Sequence, residues 1–271
     1  MPLTNRGGWP YANPPNTQFT LNRQSPQAKG LVAWWPFASM SLRDLAGVED
    51  TAPSAGATIA PTRNGLSLQL DEDGKSVYGV ASSRLKIQPP ITLHLAGMFT
   101  GVPDQYSNVI GVSAHDDGSA PYACYAIFCG TTTLDFGTNK SGTWKDKGEI
   151  CPMPSAGVPF ALTFVISPSG GKAYLNGVAQ APDPGVENTI AFYADSEVSI
   201  GAKEVDRNLN LQVQDSRIYN RALSPAEIWA MYDPATRWEL YAPVMPRGVV
   251  YVPAAAAGIP WVWRQYRQRR V

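Results

Sequence analysis

The sequence predicts an all-β chain, an antiparallel two-sheet sandwich with one short helix near its C-terminal end. Three observations predict it. Among 271 residues, 24 are glycine, 24 are proline and only 16% are charged, which suits many short strands broken by turns. Large apolar residues recur at period two, most clearly Phe160, Leu162, Phe164 and Ile166, with the smaller Ala161, Thr163 and Val165 between them. Asn176-Gly177 stands between KAYL and VAQA, where a type I′ hairpin turn needs positive φ at both central residues. The length permits one large β domain or two small ones, and no internal repeat is visible.

Several pieces follow in order. The segments GLVAWWPF (30–37), GLSLQLDEDGKSVYGV (65–80) and PITLHLAGMFTG (90–101) precede the hairpin PFALTFVIS and GGKAYLNGVAQA (159–167 and 170–181), and EVSIGA (197–202) follows it. In the hairpin's first strand the large side faces the core, each buried side chain contributing roughly 1.5–3 kcal/mol. The last strand runs through QDSRIYN, with Val213, Asp215, Arg217 and Tyr219 alternating with Gln214, Ser216 and Ile218. Ser224-Pro225-Ala226-Glu227 then supplies an N-cap serine, an N1 proline and a glutamate at N3, so a helix starts at Ser224. Ile228, Met231 and Tyr232 form its packing stripe, while Glu227 and Ala230 face outward.

Taken together, these segments resemble laminin-G-like jelly-roll domains of the concanavalin A-like lectin/glucanase superfamily. The resemblance covers residues 30–232 and implies a jelly-roll sandwich. It leaves residues 1–29 as an extended N-terminal arm and 233–271 as a proline- and aromatic-rich C-terminal extension with a basic end. The arm carries Trp9, Tyr11 and several prolines and shows no periodicity. The extension is interrupted by prolines yet too apolar for a free linker, so it covers a surface, either of its own sandwich or of a neighbouring subunit.

Charge and cysteine usage exclude several classes. With 22 basic and 22 acidic residues the formal net charge is zero, which argues against nucleic acid as the main partner. Arg264, Arg267, Arg269 and Arg270 form a local basic patch, which reads as a solvated terminus or as a docking element for an acidic partner. Cys124, Cys129 and Cys151 are odd in number and unlike the staples of a secreted module, and they read as small buried apolar residues. No apolar run suits a signal peptide or a membrane span, so the expectation is a protein made and assembled in the cytoplasm, with no membrane partner.

The opening Leu21–Trp35, together with Tyr232-Asp233-Pro234 and Arg237-Trp238-Glu239-Leu240-Tyr241-Ala242-Pro243, resembles laminin-G-like proteins encoded among bacteriophage structural genes. That resemblance implies a non-catalytic virion protein, a head decoration, fibre or tail-associated component. It implies homo-oligomers and other capsid or tail subunits as partners. The expected attachment residues are Trp9, Tyr11, Trp238, Tyr241, Trp261, Trp263, Arg264, Arg267, Arg269 and Arg270.

The alternative is a glycan-binding adhesion module recognising host or environmental polysaccharide, with Tyr106, Tyr122, Trp144 and Tyr193 as stacking residues. Calcium is an option at Asp71-Glu72-Asp73-Gly74 or His115-Asp116-Asp117-Gly118, though both read first as ordinary acidic turns; no cofactor is otherwise expected. An enzyme is not expected. The paired carboxylates of retaining glucanases are incomplete, since Glu204-Val205-Asp206 is followed by Leu209 where the second glutamate belongs. His94 and His115 lie in no nucleophile motif, and His94 reads as a strand-face residue.

Overall fold

The computed structural model describes residues 19–37, 42–47, 51–53, 57–62, 65–70, 76–79, 84–113, 123–140, 143–181, 183–186, 189–192, 196–201 and 208–243. The strands are β1 (Phe19–Leu21), β2 (Leu31–Trp35), β3 (Thr51–Pro53), β4 (Thr58–Thr62), β5 (Gly65–Leu70), β6 (Ser76–Gly79), β7 (Ile91–Phe99), β8 (Asn108–Ser113) and β9 (Ala123–Cys129). They continue with β10 (Thr133–Lys140), β11 (Thr143–Pro152), β12 (Pro159–Ser167), β13 (Gly170–Leu175), β14 (Val178–Ala179), β15 (Glu197–Gly201) and β16 (Leu211–Tyr219). The helix α1 (Pro225–Tyr232) and the strand β17 (Tyr241–Pro243) close the described chain.

Two antiparallel sheets face each other. One runs β11-β10-β9-β8-β15-β6-β3; the other runs β14-β13-β12-β7-β16-β5-β4, with β2 also paired to β16. Phe160, Leu162, Phe164 and Ile166 all enter the shared core, meeting Phe136, Ile127, Val198 and Ile200 of the opposite sheet. The hairpin turn forms as expected, with φ of 53° at Asn176 and 77° at Gly177. The jelly-roll sandwich is therefore the observed architecture.

Alternation along β16 is interrupted. Val213 pairs with Gly97 and Asp215 with Ala96, so Gln214 is an extra residue and the phase changes there. Val213 and Ile218 face the core, whereas Asp215, Arg217 and Tyr219 face away from it. The bulge corrects the expectation that Val213 shares a face with Asp215. It also places an ion pair on the outer side of the sheet instead of in the sandwich core.

Helix α1 starts where its cap predicts. Ser224 Oγ accepts from the Glu227 N–H, and Glu227 Oε2 accepts from the Ser224 N–H at 2.9 Å. Ile228 and Met231 are buried against Tyr219, Tyr174 and Val165 on the outer face of the β16 sheet. Glu227 and Ala230, expected to face outward, are half-buried, whereas Trp229 is exposed. Glu227 is drawn inward by Arg221, whose guanidinium donates to its carboxylate at 2.9 Å.

The boundaries at 30 and 232 fall inside the packed unit. β1 pairs antiparallel with β17, joining Phe19 to Pro243 and Leu21 to Tyr241. Residues 19–29, expected as part of an extended arm, and 233–243, expected as an extension beyond the domain, together supply side chains that cover the outer face of the β16 sheet. Of the two fates left open for the extension, wrapping back on its own sandwich is the one taken by residues 233–243. The three cysteines are buried and unbridged. Cys129 and Cys151 both pair with Leu134 of β10, from opposite sides, so a whole strand separates them. Burial pushes the Cys151 thiol up to about 12, and raises that of Cys129 as well.

Candidate functional site

Two places concentrate unusual chemistry, one on each sheet. The first is the clasp formed where the two chain ends meet. Arg217 and Asp215 are both fully buried, with Nε donating to Oδ1 at 2.6 Å. The other carboxylate oxygen of Asp215 accepts from Trp34 Nε1 and from the Tyr241 hydroxyl, each at 2.8 Å. Arg217 Nη1 donates to Gln27 Oε1 at 3.1 Å, and the Gln27 amide donates in turn to the Thr236 carbonyl at 2.8 Å. Residues from both sides of the β1–β17 pairing therefore converge on one buried ion pair and supply partners to both Asp215 oxygens and to Nε and Nη1 of Arg217. Phe19, Trp34, Tyr241 and Trp238 pack edge-to-face or tilted around it, with centroids 4.5–5.8 Å apart.

His94 lies in the same outer layer. Its Nδ1 is 2.8 Å from Thr163 Oγ1, and it pairs in register with Arg217 on one side and Thr163 on the other. Burial, and then the neighbouring Arg217 charge, lower its pKa to about 3, so the imidazole is neutral. It sits on the strand face, as expected.

The second place is on the other sheet. Tyr106 precedes β8 with φ of 67°, a left-handed conformation that a bulky residue rarely adopts. Hydrogen bonds hold it there, the Tyr106 N–H donating to the Cys129 carbonyl at 2.6 Å and the Cys129 N–H to the Ser107 carbonyl at 2.9 Å. The ring is 55% exposed and lies 6.0 Å from Phe128, which lies 6.0 Å from Trp144. Phe128 belongs to the outer face of β9, because Ile127 and Cys129 point into the core. Trp144 lies across Gly137, where an added Cβ would come within 2.1 Å of the indole. Only glycine lets the ring lie down there.

The sequence-expected residues divide accordingly. Tyr106 and Trp144 are brought together, and Phe128 between them is the member the sequence reading missed. Its signal was there: in CYAIFC, Phe128 follows Ile127 and must face the opposite side. Tyr122 and Tyr193 lie outside the described residues. So do Trp9, Tyr11, Trp261, Trp263, Arg264, Arg267, Arg269 and Arg270, both acidic turns, and Glu204 and Asp206. Trp238 is half-buried against Ala96 and Ala161. Tyr241, expected as an attachment residue, is 6% exposed with its hydroxyl on Asp215, so it serves the chain's own clasp. Leu209, in the position of the missing glutamate, is a buried core residue. Among the described residues no three His, Cys, Asp or Glu side chains stand together as a metal cluster.

The fold and these surfaces define a lectin-like β-sandwich of the jelly-roll kind. The family profile of the concanavalin A-like lectin/glucanases superfamily matches residues 91–229, and the chain belongs to that superfamily. Comparison with curated proteins finds no match. Among solved structures, the chain is similar to domain 4 of AbnA, an extracellular arabinanase from Geobacillus stearothermophilus, solved with arabinotriose. That likeness has a TM-score of 0.56 at 18% identity and covers 75% of this chain and 98% of that domain. It is also similar to the sialidase of Trypanosoma rangeli, with a TM-score of 0.53 at 14% identity over 75% of this chain. The binding domain of botulinum neurotoxin DC, solved with rat synaptotagmin II, gives 0.56 at 13% identity over 77% of this chain and 52% of that one. The chain spans 32% of the sialidase's length. Identities this low establish the fold alone.

Proposed function

We propose that this chain is a non-catalytic module of a bacteriophage virion, anchored through its two terminal extensions and displaying a lectin-like sandwich. The observation that carries the reading is the β1–β17 pairing. Because Phe19 is paired with Pro243, the two ends of the described chain, to which residues 1–18 and 244–271 are joined, lie next to each other. A module anchored at one point this way keeps the remainder of its surface available. The basic and aromatic end, with Trp261, Trp263 and the four arginines, supplies the chemistry for another subunit. The order of segments that resembles phage structural proteins supplies the context. The test is to co-express the full chain, or a chain lacking 1–18 or 244–271, with the other virion proteins and to sediment the particles. The full chain should be incorporated and the shortened chains lost, while 19–243 stays folded; equal incorporation of the shortened chains would refute attachment.

A second reading, a glycan-binding adhesion module, is favoured by the Tyr106–Phe128–Trp144 row on the opposite sheet. It also has the support of a similarly folded domain solved with arabinotriose. Anchoring through one sheet and binding through the other are compatible.

A further inference from the structure

We propose that the buried clasp on Asp215 is an assembly device: it holds Phe19 beside Pro243 so that the two extensions act as one two-part arm, and that arm takes a second copy of this chain. This rests on the attachment reading above and names its partner.

The clasp comes first. β1 and β17 form a two-stranded sheet apart from the two of the sandwich, three residues to a strand, and a ribbon that short does not hold by its own ladder. It is held from beneath and from the side. Tyr241 of β17 and Trp34 both donate to the Asp215 carboxylate, and Arg217 reaches the Thr236 carbonyl through Gln27. Asn22, one residue past β1, donates its N–H to the Leu240 carbonyl at 2.8 Å and its side-chain amide to the Glu239 carbonyl at 2.9 Å. Buried ion pairs add little stability over apolar packing, and their best-attested use is to fix a register. The register fixed here sets Phe19 against Pro243, the residues to which 1–18 and 244–271 are joined. Paired strands lie about 5 Å apart, so both extensions are attached to the module at nearly one point.

Charge then names the partner. Six of the 22 basic residues, all arginine, stand in 1–18 and 244–271, and neither segment has an Asp or Glu. The rest of the chain keeps the other 16 basic residues against all 22 acidic ones, a formal excess of six negative charges. The arm and the body of one chain are therefore opposite in sign and equal in formal charge. Guanidinium groups fork onto carboxylates with two parallel hydrogen bonds, which is why arginine suits such a contact better than lysine. Trp9, Tyr11, Trp261 and Trp263 add the aromatic anchors typical of interface centres. An arm on one copy and an acidic body on the next make a head-to-tail contact, repeated along a row or closed into a ring. Once one half of the arm is bound, the other is held near the same surface at about millimolar effective concentration, so the two halves together bind far more tightly than either alone.

The test uses the full chain in sedimentation-velocity runs over a concentration series, at low salt and at about 1 M, where charges are screened beyond roughly 3 Å. Mass above that of one chain, rising with concentration, is expected at low salt, with return to a single chain at high salt. A second protein carries a Gly/Ser insert of about 20 residues between Pro243 and Val244, with an r.m.s. span of roughly 25 Å. Clasp and extensions keep every residue, so its melting temperature should match the parent's, while its self-association should weaken by about tenfold. Arg264→Gln, Arg267→Gln, Arg269→Gln and Arg270→Gln together should leave a single chain at all concentrations. A single chain for the parent at every concentration in low salt, association indifferent to salt, or an insert without effect overturns the inference. Particle incorporation is read apart: a full chain that enters particles yet stays single in solution upholds attachment and overturns the second copy as its partner.

Discussion

Replacing Tyr241 with phenylalanine removes one oxygen from the clasp and leaves its packing in place. The ring keeps its contacts with Phe19, Trp34 and Trp238 at 4.5–5.0 Å, so no cavity opens. What goes is the 2.8 Å hydrogen bond from the hydroxyl to Asp215, a fully buried carboxylate. A hydrogen bond to a charged group is worth about 1.5–3 kcal/mol. Asp215 keeps Arg217 and Trp34 as donors, which places the expected loss toward the lower end, about 1.5–2 kcal/mol. At roughly 2–4 °C per kcal/mol for a domain of this size, the melting temperature should fall by about 3–8 °C. Urea unfolding should show a lower midpoint at unchanged slope, because the surface exposed on unfolding is the same. Combining it with Trp34→Phe should give a non-additive double-mutant cycle, since both donors share one oxygen. A loss below about 0.5 kcal/mol, the range of an ordinary surface substitution, would refute the reasoning. It would mean that the C-terminal strand is not seated on Asp215.

Two further predictions concern the two sheets. His94 is neutral in the folded chain, with a pKa lowered to about 3, while the unfolded chain takes up a proton below roughly pH 6.5. Its contribution is therefore fully present above pH 6.5 and is lost as the pH falls toward 3, at a limiting slope of about 1.4 kcal/mol per unit. The stability difference between the parent and His94→Gln should then shrink from pH 7 to pH 4.5 in urea titrations, and a constant difference would contradict this. Gly137→Ala should cost about 1–3 kcal/mol by forcing the Trp144 ring off the sheet. Adding Trp144→Ala should recover most of that loss in a thermal melt, and simple additivity would show that the ring does not lie there.

What the sequence disclosed, and what it hid, follows from the range of each signal. Local chemistry was legible: Ser224, Pro225 and Glu227 placed the start of α1, and Asn176-Gly177 placed a turn, because each depends only on neighbouring backbone groups. The bulge at Gln214 was not, since a single added residue leaves the composition of a strand unchanged and shows only in the partner's register. The β1–β17 pairing was hidden for a stronger reason: more than two hundred residues separate three-residue strands with no periodicity to read.

Yet one clue to the clasp stood in the sequence. Adjacent residues of a strand point to opposite faces, so Trp34 and Trp35 cannot both bury against the same core. Both are fully buried. Trp35 enters the sandwich, while Trp34 faces outward and needs a second cover, provided by Phe19, Leu240 and Tyr241. The small residues Ala96, Ala161 and Thr163 on that same outer face carry the same message, for a strand face of small side chains leaves room for something to lie on it. A tryptophan pair at the start of such a sandwich is thus a reason to expect its ends to fold back. At the aromatic row the corresponding clue is Phe128, an apolar residue on the face that does not meet the core; its cover is Trp144 and Tyr106, which themselves reach solvent. One sheet therefore closes its outer face with the chain's own ends, and the other leaves aromatic rings at its surface.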